Sequence, residues 1–217
     1  MRCIFCKSLS ELSHSVEHIV PESLGNEEHM LPRGVVCDSC NNYFARKIEQ
    51  PVLDSPMMRL LRNDRKIQNK RRHLPTFQQH EPPNLPDYRL MSRFIAKAAI
   101  EVLAFKTLSV PESNMEIVDK IELDALRGYA RYNRGETWPF AYRTLYLVNA
   151  IFGEGSMYYE VLHEFDLFYT DSMELYFVLA ILGVEFVINL GGPELDGYQR
   201  WLKQHDYVSP LYKHGMA

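Results

Sequence analysis

The sequence predicts an α+β protein: a small metal-stapled module first, then helices packed on an antiparallel sheet. Three observations carry this. All four cysteines fall in two CxxC pairs, Cys3 with Cys6 and Cys37 with Cys40, separated by 30 residues. Residues 87–108 repeat apolar side chains at helical spacing. From Phe140 onward, runs rich in β-branched and aromatic residues are separated by turn-forming Gly, Asp and Ser.

Composition sets the outer bounds. A chain of 217 residues with 46% hydrophobic and 12% aromatic content is globular, in one domain or in a small and a larger one. The most apolar stretch, residues 175–190, is short and carries Glu185, so no membrane span is expected. The opening residues lack a basic start followed by a long apolar run, which predicts a cytoplasmic protein without a signal peptide. In that compartment paired CxxC motifs favour metal over disulfides. The net charge of −4 divides unevenly, +3 over residues 1–73 and −7 over 74–217. That balance excludes a protein that coats nucleic acid indiscriminately, and it leaves room for a local basic face.

Two CxxC knuckles each grip a metal from one side and together close a tetrahedral S₄ site, the set that suits Zn²⁺. The gap between them exceeds that of common zinc ribbons, so structure of its own must fill it. Residues 15–20 read as a short extended piece ended by Pro21, and residues 34–37 as a second strand after a turn-rich stretch. From Asn41 a helix carries Phe44, Ile48 and Val52 on one side. The residues therefore describe a β-hairpin followed by a helix, with Glu17 and His18 on the first strand. A redox CxxC is the poorer reading, because no βαβ pattern surrounds it. On spacing alone the module is equally a zinc ribbon without catalysis. Adjacent strand residues point to opposite faces, so Glu17 and His18 need a twisted backbone to serve one site.

The order Cys-x-x-Cys, then Glu17-His18-Ile19-Val20-Pro21, then Cys37-Asp38-Ser39-Cys40-Asn41-Asn42 resembles the HNH endonucleases, in their cysteine-framed subgroup. The resemblance covers about residues 3–50. It implies a ββα-metal fold in which Cys3, Cys6, Cys37 and Cys40 hold structural zinc. It also implies His18 as general base, with Glu17 and Asn41 as ligands of a catalytic Mg²⁺ or Mn²⁺ and Asn42 as the alternate ligand. An imidazole suits that role, since its ordinary pKa of about 6.5 keeps a neutral base available near neutrality. Oxygen ligands suit the hard cation. The family's middle asparagine has no counterpart in residues 31–36; its orienting job passes to a backbone carbonyl, to Asn26 or to His29. His14 and His29 otherwise read as loop surface, and Asp38 and Ser39 as makers of local hydrogen bonds.

A basic connector follows. Arg59, Arg62, Arg65, Lys66, Lys70, Arg71 and Arg72 place seven cations in 14 residues, with Arg59, Arg62 and Lys66 on one helical face. With Arg46 and Lys47 they form the expected nucleic-acid-binding surface, by phosphate contacts that confer affinity rather than sequence choice. Residues 74–87, with Pro75, Pro82, Pro83 and Pro86, read as a linker between a nuclease module at 1–73 and an α+β domain at 88–217.

In that second domain Asp87 caps a helix striped by Phe94, Ile95, Ala98, Val102 and Phe105. Arg89, Arg93 and Lys97 lie on another face, either extending the basic surface or plainly exposed. A second helix is expected over 122–134, strands over 143–152, 157–169 and 175–190, and a closing helix over 198–205. His163 and Glu164 sit in a strand as packed or solvent-facing residues rather than a second site. The domain's role stays open between substrate recognition, homodimerisation and docking of a protein partner. The expected function is metal-dependent hydrolysis of phosphodiesters in nucleic acid, DNA foremost. The alternative is a zinc-stabilised nucleic-acid- or protein-binding module without catalysis.

Overall fold

A computed structural model describes residues 1–64, 66–69, 71–76, 84–110, 116–144 and 163–211. The chain forms two compact units, Met1–Trp138 and Pro139–Ala217. The division therefore falls well after the proline-rich stretch, and the helix expected to open a second domain belongs to the first unit. Residues 77–83 of the expected linker lie outside the described residues.

The first unit begins with the knuckle at Cys3. Lys7 donates its N–H to Cys3 O at 2.9 Å in a left-handed conformation (φ 61°), and Cys3 N bonds Ser8 O. Strand β1 (Glu17–His18) pairs antiparallel with β2 (Met30–Leu31). The second strand thus lies earlier than residues 34–37, which instead turn through Gly34 at φ 86° into helix α1 (Asp38–Phe44). A side chain at Gly34 would meet Ser10 O at 2.9 Å. The helix runs on through a π-helical turn, Ala45–Glu49, into α2 (Gln50–Leu53), and α3 (Pro56–Asp64) follows. Phe44, Ile48 and Val52 are all fully buried, as their spacing requires.

Helix α4 (Tyr88–Leu108) is the spine of the unit. Asp87 caps it by accepting from Leu90 N at 2.9 Å. Residues Met91 to Val102 are all buried, so the helix is enclosed on every side. It packs on β2, on the π-helical turn, on α2 and on α5 (Asp124–Tyr132). Helix α5 is shorter than expected because 3₁₀ turns precede it and Asn133, at φ 57°, ends it.

The second unit holds a four-stranded antiparallel sheet in the order β3-β6-β5-β4. Its strands are β3 (Phe140–Thr144), β4 (His163–Tyr169), β5 (Leu175–Ile181) and β6 (Val184–Asn189). The strand-rich run over 175–190 forms two strands, because Leu182 and Gly183 take left-handed φ of 52° and 86° and reverse the chain. Much of the strand expected over 143–152 and the start of the next lie outside the described residues. Helix α6 (Asp196–Gln204) sets Tyr198 and Trp201 against Phe168, Tyr176, Val178 and Val187. Glu185, fully buried in β6, accepts from Arg143 Nε at 2.6 Å, from Tyr198 OH at 3.0 Å and from Ser209 Oγ. His163 and Glu164 pair across to Ile181 and Ala180 as ordinary strand residues. Among the described residues no helix is long and apolar enough to cross a membrane.

Candidate active site and cysteine cluster

The four cysteines converge. Their Sγ atoms all lie within 4.8 Å of one another, with Cys6 and Cys37 at 3.6 Å. A tetrahedral ion at the usual Zn–S length of about 2.3 Å sets its sulfurs roughly 3.8 Å apart, so the donor set and spacing both fit zinc. Two contacts favour thiolate. Cys37 N donates to Cys3 Sγ at 3.4 Å, and Arg131 Nε, from α5, donates to Cys40 Sγ at 3.2 Å. The hydrogen bond from Cys40 pulls the Cys3 thiol down to about 5, whereas burial pushes Cys37 up to about 11. The ion would tie the two knuckles together and supply folding energy, with no chemical step of its own. Asp38 secures the frame: its carboxylate accepts from Ser15 Oγ at 2.6 Å and from the N–H groups of Ser15 and His14. Those bonds hold it below the ordinary carboxylate range.

Beside the cluster lies a cleft of about 440 Å³. Glu17 and His18 of β1, Asn41 of α1, Glu49 of the π-helical turn and Arg71 all line it. Four sequence-predicted residues, Glu17, His18, Asn41 and Arg71, thus line one cleft. Asn41 Nδ2 donates to Val16 O at 3.1 Å, which ties α1 to the residue that leads into β1. Asn42 is exposed and does not line the cleft. The turn between β1 and β2 is organised by Asn26, fully buried. Its Nδ2 donates to Val20 O and His29 O at 2.8 and 3.0 Å, and its Oδ1 accepts from His29 N and Glu28 N. Asn26 therefore fixes the backbone on both sides of the hairpin that carries His18.

The group that Glu17 and Glu49 meet departs from expectation. Lys97, predicted on a basic or exposed face, is fully buried, and its Nζ lies 2.6 Å from Glu17, 2.6 Å from Glu49 and 2.9 Å from Glu101. It also donates to His18 O at 3.1 Å. Burial alone would lower this ammonium, but the three carboxylates hold it well above its ordinary value. Burial pushes the Glu17 carboxyl up to about 7 against the opposing pull of Lys97. Arg93 is buried too, donating to Ala130 O at 2.9 Å and Tyr43 OH at 2.5 Å. Arg89 reaches Asn133, Thr137 and Gly135. These cations hold the unit together instead of forming a surface.

The basic connector divides similarly. Arg62 is 4% exposed, and burial lowers its guanidinium, so it is not part of the exposed basic face. Lys66 lies beyond the end of α3 at φ 55°, off the helical face expected for it. Arg46, Lys47, Lys66, Arg71 and Arg72 are exposed and Arg59 half-buried; Arg65 and Lys70 lie outside the described residues.

Sequence reasoning missed Glu49, Lys97 and Glu101. The signal for Lys97 was its position in Phe94–Ala99, where every neighbour is apolar, with Glu101 one turn on. No curated protein and no solved structure matches the chain. A family model does: residues 3–57 match the HNH endonucleases, a span that holds both cysteine pairs and Glu17, His18, Asn41 and Glu49. Over those residues the chain is similar to the HNH endonuclease family, at the segment that builds the cleft.

Proposed function

We propose that the first unit is a metal-dependent nuclease that hydrolyses phosphodiester bonds, with DNA as its first substrate. The observation that carries this reading is the meeting of Glu17, His18 and Asn41 on one cleft beside a four-cysteine cluster. His18 takes the proton from a water, whose oxygen forms the new bond to phosphorus as the bond to the leaving 3′ oxygen breaks. Glu17 and Asn41 are the oxygen donors for a Mg²⁺ or Mn²⁺ ion, which when bound stabilises charge on phosphorus and the leaving oxygen. Lys97, through the His18 carbonyl, fixes the strand that presents the imidazole. Arg71 at the cleft wall, with exposed Arg46, Lys47, Lys66 and Arg72, supplies phosphate contacts.

The test is plasmid nicking by the full chain with Mg²⁺ or Mn²⁺. His18→Ala is expected to lower the rate by about 10²–10⁴-fold, while zinc content stays at about one ion per chain. A His18→Ala protein that cuts like the wild type overturns the assignment and leaves the zinc-stabilised binding module.

A further inference from the structure

Two carboxylates line the cleft and meet at one buried ammonium. Glu17 and Glu49 each set an oxygen 2.6 Å from Lys97 Nζ, their side chains 5% and 14% exposed. Glu101, fully buried at 2.9 Å from the same nitrogen, does not line the cleft. The His18 carbonyl is a fourth oxygen, at 3.1 Å. An ammonium has only three N–H donors, so four oxygens outnumber what Lys97 gives. Glu17 Oε2 is buried and accepts no hydrogen bond among the described residues. With all three carboxylates ionised, the cluster around one ammonium carries a formal charge of minus two, which one divalent cation would neutralise.

The helix geometry brings Glu49 to this place. At about 100° per residue an uninterrupted α-helix would carry a residue eight positions past Asn41 roughly 80° off its face. The π-helical turn Ala45–Glu49 is wider, each hydrogen bond spanning one more residue, and removes most of that offset. Glu49 thereby lines the same cleft as Asn41.

We propose that Glu49 is a further ligand of the divalent ion, beside Glu17 and Asn41. This rests on the hydrolytic reading of the cleft and adds a carboxylate to it. The experiment is Mn²⁺ titration of the zinc-loaded full chain, with free Mn²⁺ followed by electron paramagnetic resonance, so that binding is read without cleavage. Glu49→Gln is expected to weaken Mn²⁺ binding about tenfold or more, within the range that loss of a metal-site partner produces. Glu101→Gln removes the same charge from the same ammonium but from behind the cleft, and is expected to weaken it much less. Equal losses in the two variants, or wild-type affinity in Glu49→Gln, overturn the proposal. Should Glu101→Gln fail to fold, Glu49→Asp decides instead. It keeps the charge and withdraws the oxygen by one methylene, so wild-type affinity there rejects direct ligation. Glu17→Gln separates the layers. If it binds Mn²⁺ as tightly as the wild type, the hydrolytic reading itself falls. If it weakens binding while Glu49→Gln does not, only the role of Glu49 falls.

Discussion

Replacing Lys97 by Met is the sharpest test of how the first unit is held. Methionine keeps the length and apolar stem of the side chain and removes only the ammonium. Glu17, Glu49 and Glu101, all within 2.9 Å of that nitrogen, then face one another with no counter-charge. Breaking a buried ion pair from one side typically costs about 3–5 kcal/mol, because the stranded charge stays buried. The loss of the bond to the His18 carbonyl adds to this. With a urea m-value of about 1–3 kcal/mol per molar, the unfolding midpoint is expected to fall by roughly 1–5 M. The four cysteines lie in the same unit, so zinc release to a chromogenic chelator across a urea series reports its unfolding directly. A midpoint within about 0.3 M of the wild type, a fraction of what that m-value predicts, would refute the claim that Lys97 is an internal counter-ion. Lys97→Met combined with Glu101→Leu should recover part of the loss, since a smaller buried charge is then left unmatched.

Other expectations follow from single sites. Asn26→Ala deletes two donated and two accepted backbone bonds in a fully buried turn and should destabilise the first unit by about 2–3 kcal/mol in the same assay. Nicking should fall with it, because the hairpin that carries His18 loses its brace. Replacing Arg71 and Arg72 together by Ala should weaken DNA binding similarly across sequences and flatten the salt dependence by a slope of roughly 1–2; a sequence-selective loss would contradict phosphate contact. In the second unit, burial and then the Glu185 charge raise the Tyr198 hydroxyl above its ordinary range. The unfolded chain ionises this tyrosine near pH 10, so its stabilisation is full below that pH and is lost as pH climbs above it. Denaturation followed by Trp201 fluorescence in a Trp138→Phe background should therefore show a decline above about pH 10 that Tyr198→Phe makes shallower.

Much of this architecture was legible because local rules and tertiary packing agree. Cysteine spacing, the Asp87 cap and the Phe44, Ile48, Val52 stripe each depend on near neighbours, and each stands in the structure. The errors arose where the deciding group was far away in sequence. Arg89, Arg93 and Lys97 recur every four residues like a solvated face, yet Lys97 meets carboxylates up to 80 residues earlier. Glu49 was invisible because helical phase from Asn41 assumes an α-helix, and no residue between them announces the wider turn. Arg62 looked like its basic neighbours, and only the packing around it makes it interior. The two-strand outcome over 175–190 turned on Leu182 accepting a left-handed φ, a conformation that a leucine rarely adopts.

The Arg131–Cys40 and Lys97–Glu17 contacts bear on how this nuclease-like segment can be handled as a part. The matched span ends at residue 57, but one of its thiolates leans on α5 and its acidic pair hangs from α4. Cut out at its sequence boundary, the segment would carry Glu17 and Glu49 without Lys97, and Cys40 without Arg131. It is not a transplantable cassette. Residues 1–138, the compact first unit, keep all of these partners together, and fusions or truncations should be drawn at that border.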